Sequence, residues 1–291
     1  MDNLTHGLLG YGVYALLKKP KMERHKKWYG FAAIVAAELP DLDSFIFNDD
    51  IAYLRVHRGI THSLLVSPLM AAVVIGVFYA LARKQRKEIQ WAHMYLLAFL
   101  GLLTHLTSDW MNTWGTGLLE PWVNSRYSLG FLPIIDLVIL SLFLVGFILR
   151  KKLGTQKAFR IVWALILVYI GSQGIQNLMI HHKVDQQFDQ AVVSASFVPT
   201  QFTVIGKRGN ELAVYSRSLW HEGKKTSILS TGDSGVVGKV LADPYAKTIA
   251  WWAPFYAITV DKSGKQATIF DPRFYRKGSS FINTSIKILG D

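Results

Sequence analysis

Three Thr-His pairs, each at the edge of an apolar stretch, are the residues of this chain best suited to chemistry. The pairs are Thr5-His6, Thr61-His62 and Thr104-His105. With 15 threonines among 291 residues, nine histidines would follow a threonine less than once by chance. Imidazole is a common metal ligand and a neighbouring hydroxyl can orient the ring, so the pairs indicate a metal site.

Two acidic motifs supply the oxygen ligands that such a site needs. Asp41 and Asp43 follow Pro40, which ends a helix, and their spacing suits a turn from which two carboxylates diverge. His105 and Asp109 are four residues apart and share one helix face, so both can reach a single cation. A helix cap and a helix-face ion pair are the ordinary alternatives. They account less well for a pair of aspartates and for a nearly chargeless helix.

The segment HRGITHS contains His57, Arg58 and His62 and is the densest of these motifs. A spacing of five does not place both histidines on one helix face, so we expect a turn at Gly59. The Arg58 guanidinium would bind a phosphate through paired hydrogen bonds, with a basic helix cap as the alternative. Asp136 stands alone in an apolar stretch and is a candidate site residue, either as a ligand or as the partner of an arginine.

The elements that must position these residues are predicted to be membrane helices. The chain is 51% hydrophobic, and its long apolar runs all lie before residue 183. A bilayer core of about 30 Å needs about 20 helical residues, which predicts four full transmembrane spans. The spans are residues 64–82, 91–108, 129–149 and 161–180. Two shorter runs, 4–17 and 29–37, predict half-spans that end in a polar site.

Residues 183–291 are predicted to form a separate β-rich domain, because β-branched and aromatic runs alternate there with turn signals. Lys207–Asn210 and Lys262–Lys265 predict hairpin turns with glycine at positive φ. The predicted fold is therefore an α-helical polytopic membrane domain, residues 1–182, followed by a small β-rich domain.

Basic residues predict the orientation in the membrane. Fifteen of the 18 lysines and arginines before residue 183 lie in three clusters, 18–27, 83–87 and 150–160. The positive-inside rule places all three in the cytoplasm. Every candidate ligand, and residues 183–291, then lie on the outer side of a multi-pass protein. The net charge of +12 thus reflects topology, and the lack of a recognition helix argues against a nucleic-acid partner.

The donor atoms available narrow the choice of metal. The chain has no cysteine, so the ligands are histidine nitrogen and carboxylate oxygen. Such a set favours zinc, with manganese or iron as alternatives, over copper(I) or calcium. Metal ions held there would lower the pKa of a water molecule and stabilise a phosphoryl group.

The motifs LTHGLLG, LPDLD, HRGITHS and LTHLTSDWMNTWG, with the Asp136 stretch, together resemble the YdjM/YfhP-like family of bacterial membrane proteins, described as metal-dependent hydrolases. The resemblance covers roughly residues 1–180, and ATIFDPRF resembles the extension of the YfhP-like branch, which has also been labelled regulatory. The family is similar to zinc-dependent phospholipase C and P1-type nucleases, which use three zinc ions. That likeness implies five ligands, His6, Asp41, His62, His105 and Asp109. It leaves Asp43, His57 and Asp136 as further ligands or site residues.

The predicted function is a membrane-bound, metal-dependent hydrolase of a phosphoester in a lipid or other amphiphile. Asp41 or Asp43 would orient the attacking water, and Arg58 would hold the phosphate. A metal-ion or proton transporter is one alternative, although it would carry charges at mid-membrane rather than at helix ends. A non-enzymatic sensor that signals through residues 183–291 is the other. The sequence leaves the oligomeric state open.

Overall fold

A computed structural model describes residues 1–46, 49–276 and 278–288. The chain forms two compact units. The first consists of Met1–Ile46 and His57–Gln173, and the second of Phe47–Val56 and Gly174–Asp291. The membrane-embedded character of residues 1–182 and the extracytoplasmic position of residues 183–291 stay predictions.

Helices dominate the chain up to residue 184. In chain order they are α1 Asn3–Leu17, α2 Lys26–Glu38, α3 Asp50–Val56, α4 Ser67–Leu81, α5 Trp91–Trp110, α6 Leu137–Leu153 and α7 Thr155–Val184. Short 3₁₀ segments at Pro20–His25, Leu39–Phe45 and Ile60–His62 connect some of them. Of these helices α3 belongs to the second unit, and α7 passes from the first unit into the second.

Helix α1 lies between two apolar cores of the first unit. Val13 and Tyr14 belong to a core shared with α2, α4 and α5, whereas Leu9 and Ala15 belong to a core shared with α6 and α7. Helix α1 contacts α2, α5 and α6, and its N-terminal residues lie beside the C-terminal ends of α2 and α5. This packing positions the candidate site described below.

Small residues allow α1, α2 and α5 to approach closely. A Cβ atom added at Gly10 of α1 would lie 2.6 Å from the carbonyl oxygen of Ala33 in α2, and one at Gly101 of α5 would lie 2.7 Å from the same oxygen. Ala33 itself is fully buried. Because the obstructing atom is backbone, it cannot rotate away, and the three helices must separate to admit a methyl group.

We therefore expect Gly101→Ala to lower the free energy of unfolding by about 1–3 kcal/mol, the usual cost of overpacking. Gly76→Ala is the matched control, because Gly76 is also helical and a Cβ there meets no atom within 4 Å. Gly76→Ala should raise stability by up to about 1 kcal/mol through helix propensity. Thermal unfolding in detergent checks both, and equal melting temperatures for the two variants would contradict the close approach.

The prediction of four full transmembrane spans is wrong. In the described part of the chain, α7 is the one helix that is both long and apolar enough to cross a membrane. A second candidate arises only if Asp50–His62 and Ser67–Leu81, which are bent by 80° at their junction, count together as a broken span. The predicted span 161–180 lies inside α7, and the other three do not form such helices.

The physical reasons differ among the three failed spans. Leu64–Val66 are not helical and α4 begins only at Ser67, which leaves 15 residues, about 22 Å of helix. Asp136 caps α6, so residues 129–136 stay irregular and the last turn of the 17-residue helix is basic. Helix α5 has 20 residues, but its histidines, threonines and Asp109 leave no stretch of 18 residues apolar enough to count as a span. Runs of uncharged sequence thus overstate helix length.

The second unit is β-rich, as predicted. Its elements are β1 Gln190–Ala195, β2 Phe202–Arg208, β3 Glu211–Arg217, β4 Thr226–Leu229, α8 Ser234–Leu241, α9 Pro244–Trp252, β5 Ala257–Val260, β6 Gln266–Phe270, β7 Tyr275–Arg276, β8 Ser279–Ser280 and β9 Asn283–Lys287. Antiparallel sheets have the orders β1-β2-β3-β4, β5-β6-β9 and β7-β8. The two predicted hairpin turns are confirmed, with φ of 56° at Gly209 and 71° at Gly264.

Candidate metal centre

The candidate site lies in the first unit, where the start of α1 meets the ends of α2 and α5. Pro40 lies at the start of the 3₁₀ segment Leu39–Phe45, which carries Asp41 and Asp43 away from α2. The segment around His62 is a 3₁₀ turn rather than a helix face, as the five-residue spacing predicts. Three separate stretches of the chain thus converge on the last turn of α5.

Four side chains form a compact group of metal ligands: Asp41, His62, His105 and Asp109. One donor atom from each lies within 4.8 Å of all the others, and all four residues are buried. His62 Nε2 is 3.3 Å from Asp41 Oδ1 and 3.3 Å from Asp109 Oδ2, and His105 Nε2 is 3.6 Å and 3.5 Å from the same atoms. Donors about 2.0–2.2 Å from a tetrahedral cation are separated by about 3.3–3.6 Å, so these four nitrogen–oxygen separations fit such an ion.

The two histidines direct the same type of nitrogen at each other. His105 Nδ1 lies 2.6 Å from the Ala37 carbonyl oxygen, which can only accept, so Nδ1 carries the proton. His62 Nδ1 lies 3.0 Å from the Thr61 hydroxyl, which itself donates to Asp43 at 2.5 Å, so this Nδ1 is also the donor. In the neutral rings both Nε2 atoms then present lone pairs 3.0 Å apart. A metal ion between them would accept both lone pairs. A proton on His62 Nε2 is the alternative, because burial lowers the pKa of His62 but its contacts with Asp109 and Asp41 outweigh burial and raise it.

Unpaired carboxylate oxygens point to the same conclusion. Asp41 Oδ1 and Asp109 Oδ2 are buried and lack a hydrogen-bond partner among the described residues. Buried polar atoms are nearly always paired, so two orphaned oxygens beside two imidazole nitrogens need an explanation. A cation bound by all four donors would satisfy them together.

His6 lies beside this group rather than in it. Its ring stacks on the His105 ring, with centroids 3.7 Å apart, and its Nε2 is 3.4 Å from Asp109 Oδ1 and 3.8 Å from Asp41 Oδ2. These are the second oxygens of the two ligand carboxylates. Burial, together with the nearby His105, lowers the pKa of His6 to about 3, so the ring is neutral at physiological pH. A neutral imidazole is the form that binds metal.

Asp43 and His57 form a pair next to the four ligands. His57 Nδ1 lies 2.6 Å from Asp43 Oδ1, and the His57 and His62 rings meet edge to face with centroids 5.7 Å apart. Asp43 Oδ2 accepts from Thr61 and lies 3.8 Å from His62 Nδ1. Neither residue is in the four-ligand group. Their contacts orient the imidazole of a ligand, as carboxylates behind metal-binding histidines commonly do.

Arg58 lies behind Asp109. Its Nη2 is 3.1 Å from Asp109 Oδ1, its Nη1 donates to Asn112 Oδ1 at 3.0 Å, and its buried Nε has no hydrogen-bond partner among the described residues. Asp109 also contacts the α-amino group of Met1. Burial alone would raise the pKa of Asp109, but the charges of Arg58 and this amino group outweigh it and hold the pKa well below its usual range.

The backbone at Arg58 is strained. Its φ is 60°, in the left-handed region that non-glycine residues avoid, and this conformation costs about 1–2 kcal/mol. Sequence reasoning missed Asn112, which is fully buried and connects Arg58 to Asp109 through Nδ2 at 3.3 Å. Its position three residues after Asp109 was the available signal.

Asp136 is not brought to the cluster. It is the N-cap of α6, where Oδ1 accepts from the backbone amides of Val138 and Ile139 at 2.9 and 3.0 Å, and Oδ2 accepts from the Tyr169 hydroxyl at 2.8 Å. Helix capping therefore accounts for this buried carboxylate.

The three threonines of the Thr-His pairs form different hydrogen bonds. Thr61 orients a ligand, whereas the Thr5 hydroxyl donates to Asp2, the cap of α1, and Thr104 donates to the Gly101 carbonyl. One of the three pairs therefore acts as expected.

Glu38 is half-buried near the site, at the end of α2. Burial, and then the charge of Asp41, raise its pKa to about 7. The folded state thus binds this proton more tightly than the unfolded state, whose glutamate pKa is about 4.3. The associated stability is complete below about pH 4 and is lost as the pH rises to about 7.

We expect Glu38→Gln, which mimics the protonated carboxyl, to melt close to the parent chain at pH 5 and several degrees above it at pH 8, in chelator. Melting temperatures across this pH range check the prediction. Glu23→Gln is the control. The exposed Glu23 carboxylate pairs with Lys26 at 2.8 Å, so replacing it removes an ion pair and should not raise the melting temperature. A pH-independent difference for Glu38→Gln would contradict the assignment.

Two of the comparisons with known proteins point to inner membrane proteins. A family model described as YdjM inner membrane protein matches residues 1–180. The chain is 22% identical over 206 residues to the Bacillus subtilis (strain 168) protein named "Uncharacterized protein YfhP", covering 69% of this chain and 62% of that one. It is 38% identical over 101 residues to "Inner membrane protein YbcI" of Escherichia coli (strain K12), covering 33% and 56%. The chain thus spans less than two thirds of either relative, and no solved structure matches it.

Proposed function

The chain belongs to the YdjM inner membrane protein family, and we propose that it is a membrane-bound, metal-dependent hydrolase. Its substrate would be a phosphoester of a lipid or another amphiphile, since the enzyme is held at a membrane. The observation that carries the proposal is the buried group of two facing imidazole nitrogens and two orphaned carboxylate oxygens.

Zinc is the proposed ion, and Asp41, His62, His105 and Asp109 would hold it. Two nitrogen and two oxygen donors at tetrahedral separations suit zinc, with manganese or iron as alternatives. A divalent ion supplies Lewis acidity, which lowers the pKa of water and stabilises charge on a phosphoryl oxygen.

The surrounding side chains have the properties that phosphoester hydrolysis requires. The Arg58 Nε–H is a buried donor with no hydrogen-bond partner among the described residues, and an arginine at this position would orient a phosphoryl oxygen. His57, held by Asp43 at 2.6 Å, would accept the proton of the attacking water and return it to the leaving oxygen.

We further propose that the site faces the outer side of the membrane. In α1, His6, which lies beside the four ligands, is near the N-terminal end of the helix. The basic cluster beginning at Lys18 follows the C-terminal end. Helix α5 has the reverse arrangement, with Arg83–Lys87 before it and Asp109 in its last turn. Metal ligands and basic clusters therefore occupy opposite ends of the same helices, which supports an outward site under the positive-inside rule.

Purified full-length chain in a non-ionic detergent provides the test. We expect close to one equivalent of zinc or manganese by elemental analysis, and turnover of bis(p-nitrophenyl) phosphate or phosphatidylglycerol in mixed micelles that chelator abolishes and zinc restores. Bound metal without turnover of any phosphoester would reject the hydrolase and leave the metal centre standing. Protein with no metal after loading would reject both.

A further inference from the structure

A second site lies at the other end of the first unit, where basic clusters come together. A cavity of about 550 Å³ opens among the end of α1, the start of α2 and the junction of α6 with α7. Four basic side chains and one acidic one line it, which leaves a net charge of +3. The basic ones are Lys18, Lys26, Lys27 and Arg150. The first three come from one sequence cluster and Arg150 from another, so the fold has joined two clusters that lie far apart in the chain.

The cavity also has an apolar wall. Phe31 and Ile34 are three residues apart on α2 and line it, and the Phe31 side chain is 60% exposed. Tyr11 and Tyr14 line the α1 side with the same spacing. A basic end beside an apolar and aromatic wall fits a ligand with an anionic head and a hydrocarbon chain, and the volume suits a small-molecule ligand.

The charges in the cavity are only partly compensated. Glu23 pairs with Lys26 at 2.8 Å and with Lys18 at 3.3 Å. Arg150 donates to the Tyr11 hydroxyl at 3.1 Å, a neutral partner that holds the guanidinium without neutralising it. An anion would therefore meet fixed positive charge and hydrogen-bond donors that the protein leaves available.

The position of the cavity beside the candidate membrane span indicates that the anion belongs to a membrane lipid. Thr155, the first residue of α7, lines the cavity, and α7 is the candidate membrane span. Five basic residues fall between 150 and 160, three in the last turn of α6 and two near the start of α7. Basic clusters directly beside a membrane span attract the anionic lipids of the cytoplasmic leaflet. The N-terminal end of a helix adds favourable interaction with a phosphate.

We infer that this cavity, which we call the basic pocket, binds the phosphate headgroup of an anionic phospholipid, with the acyl chains against Phe31 and Ile34. Its Lys18 is 12 residues along α1 from His6, about 18 Å of helix, so the basic pocket is separate from the metal centre. The inference therefore stands whether or not the chain is a hydrolase.

Native mass spectrometry tests the inference. The full chain is prepared in non-ionic detergent micelles that contain equal concentrations of either phosphatidylglycerol or phosphatidylcholine. We expect phosphatidylglycerol to be retained at least about tenfold more, and Lys27→Gln with Arg150→Gln to lower its retention about thirtyfold. The matched control, Arg83→Gln with Lys84→Gln, removes two exposed charges from the third basic cluster, outside the basic pocket, and should change little. Lys27→Arg with Arg150→Lys keeps the charges and should retain the lipid.

The inference would be overturned by equal retention of both lipids, by equal losses in the pocket and control variants, or by displacement of the lipid by an equal concentration of soluble glycerophosphoglycerol. The last would mean that the basic pocket takes a free phosphodiester. Phe31→Gln guards against a folding defect, because Phe31 is exposed and the change leaves every charge in place. It should lower phosphatidylglycerol retention severalfold, with the melting temperature falling no more than the few degrees expected from loss of the ring contact with Phe78. Unchanged retention would also contradict the inference.

Discussion

Replacing His105 by alanine is expected to lower zinc affinity on the order of a hundredfold. Structural zinc sites release about 10–16 kcal/mol on binding, so one of four ligands accounts for about 3 kcal/mol, and 1.4 kcal/mol is a factor of ten. His105 is fully buried, and its Nε2 faces both ligand carboxylates at 3.5–3.6 Å. Competition with a zinc-binding dye, on detergent-purified chain, measures the change.

His93→Ala is the matched control for this experiment. His93 lies on the same helix, α5, at the opposite end, and its Nε2 is 3.3 Å from the Leu17 carbonyl oxygen. His93→Ala should leave zinc affinity unchanged. Both variants place an alanine in α5, so helix propensity does not distinguish them. Equal affinities for the parent chain and the two variants would mean that the four-residue group holds no metal, and the proposed function would fall with it.

Replacing Arg58 by lysine is expected to lower phosphodiester turnover about 10²–10³-fold while metal content stays constant. Removing one positioned donor to a developing oxyanion typically costs that much. Lysine keeps the positive charge beside Asp109 and carries the same backbone strain as arginine at φ of 60°, so the folded state changes little. It loses the planar fork and the Nε–H that would contact a phosphoryl oxygen.

Arg24→Lys provides the comparison, because Arg24 is an exposed residue that pairs with Glu88 at 2.9 Å, at the basic end of the unit. Its turnover and metal content should equal those of the parent chain. If Arg58→Lys turns over within about twofold of the parent, Arg58 serves only to stabilise the charge of Asp109. If the variant loses metal instead, the arginine belongs to the metal centre rather than to substrate binding.

The local chemistry of the site could be predicted from the sequence. The i, i+4 spacing of His105 and Asp109 on a helix, the break at Pro40 and the turn between His57 and His62 are all short-range features, and all appear in the structure. The family resemblance and the β-rich second unit likewise follow from motifs and from strand patterns. Backbone geometry over a few residues depends mainly on the residues themselves.

Helix lengths could not be predicted in the same way. The apolar runs 64–82 and 129–149 contain Pro68 and Asp136, and these residues start the helices late. A hydropathy count registers neither effect, because a proline or a capping aspartate changes where a helix begins without changing how apolar the run is.

Sequence by itself determined which residues can bind a metal, namely histidines and aspartates in several short motifs. Only the tertiary structure decided that four of them form one compact group, that Asp43 and His57 lie behind a ligand, and that Asp136 caps a helix instead. The reason is that the ligands come from stretches up to 68 residues apart, Asp41 to Asp109, so their meeting depends on how α1, α2 and α5 pack. That packing rests on the close contact of Gly10 and Gly101 with Ala33, which no single motif contains.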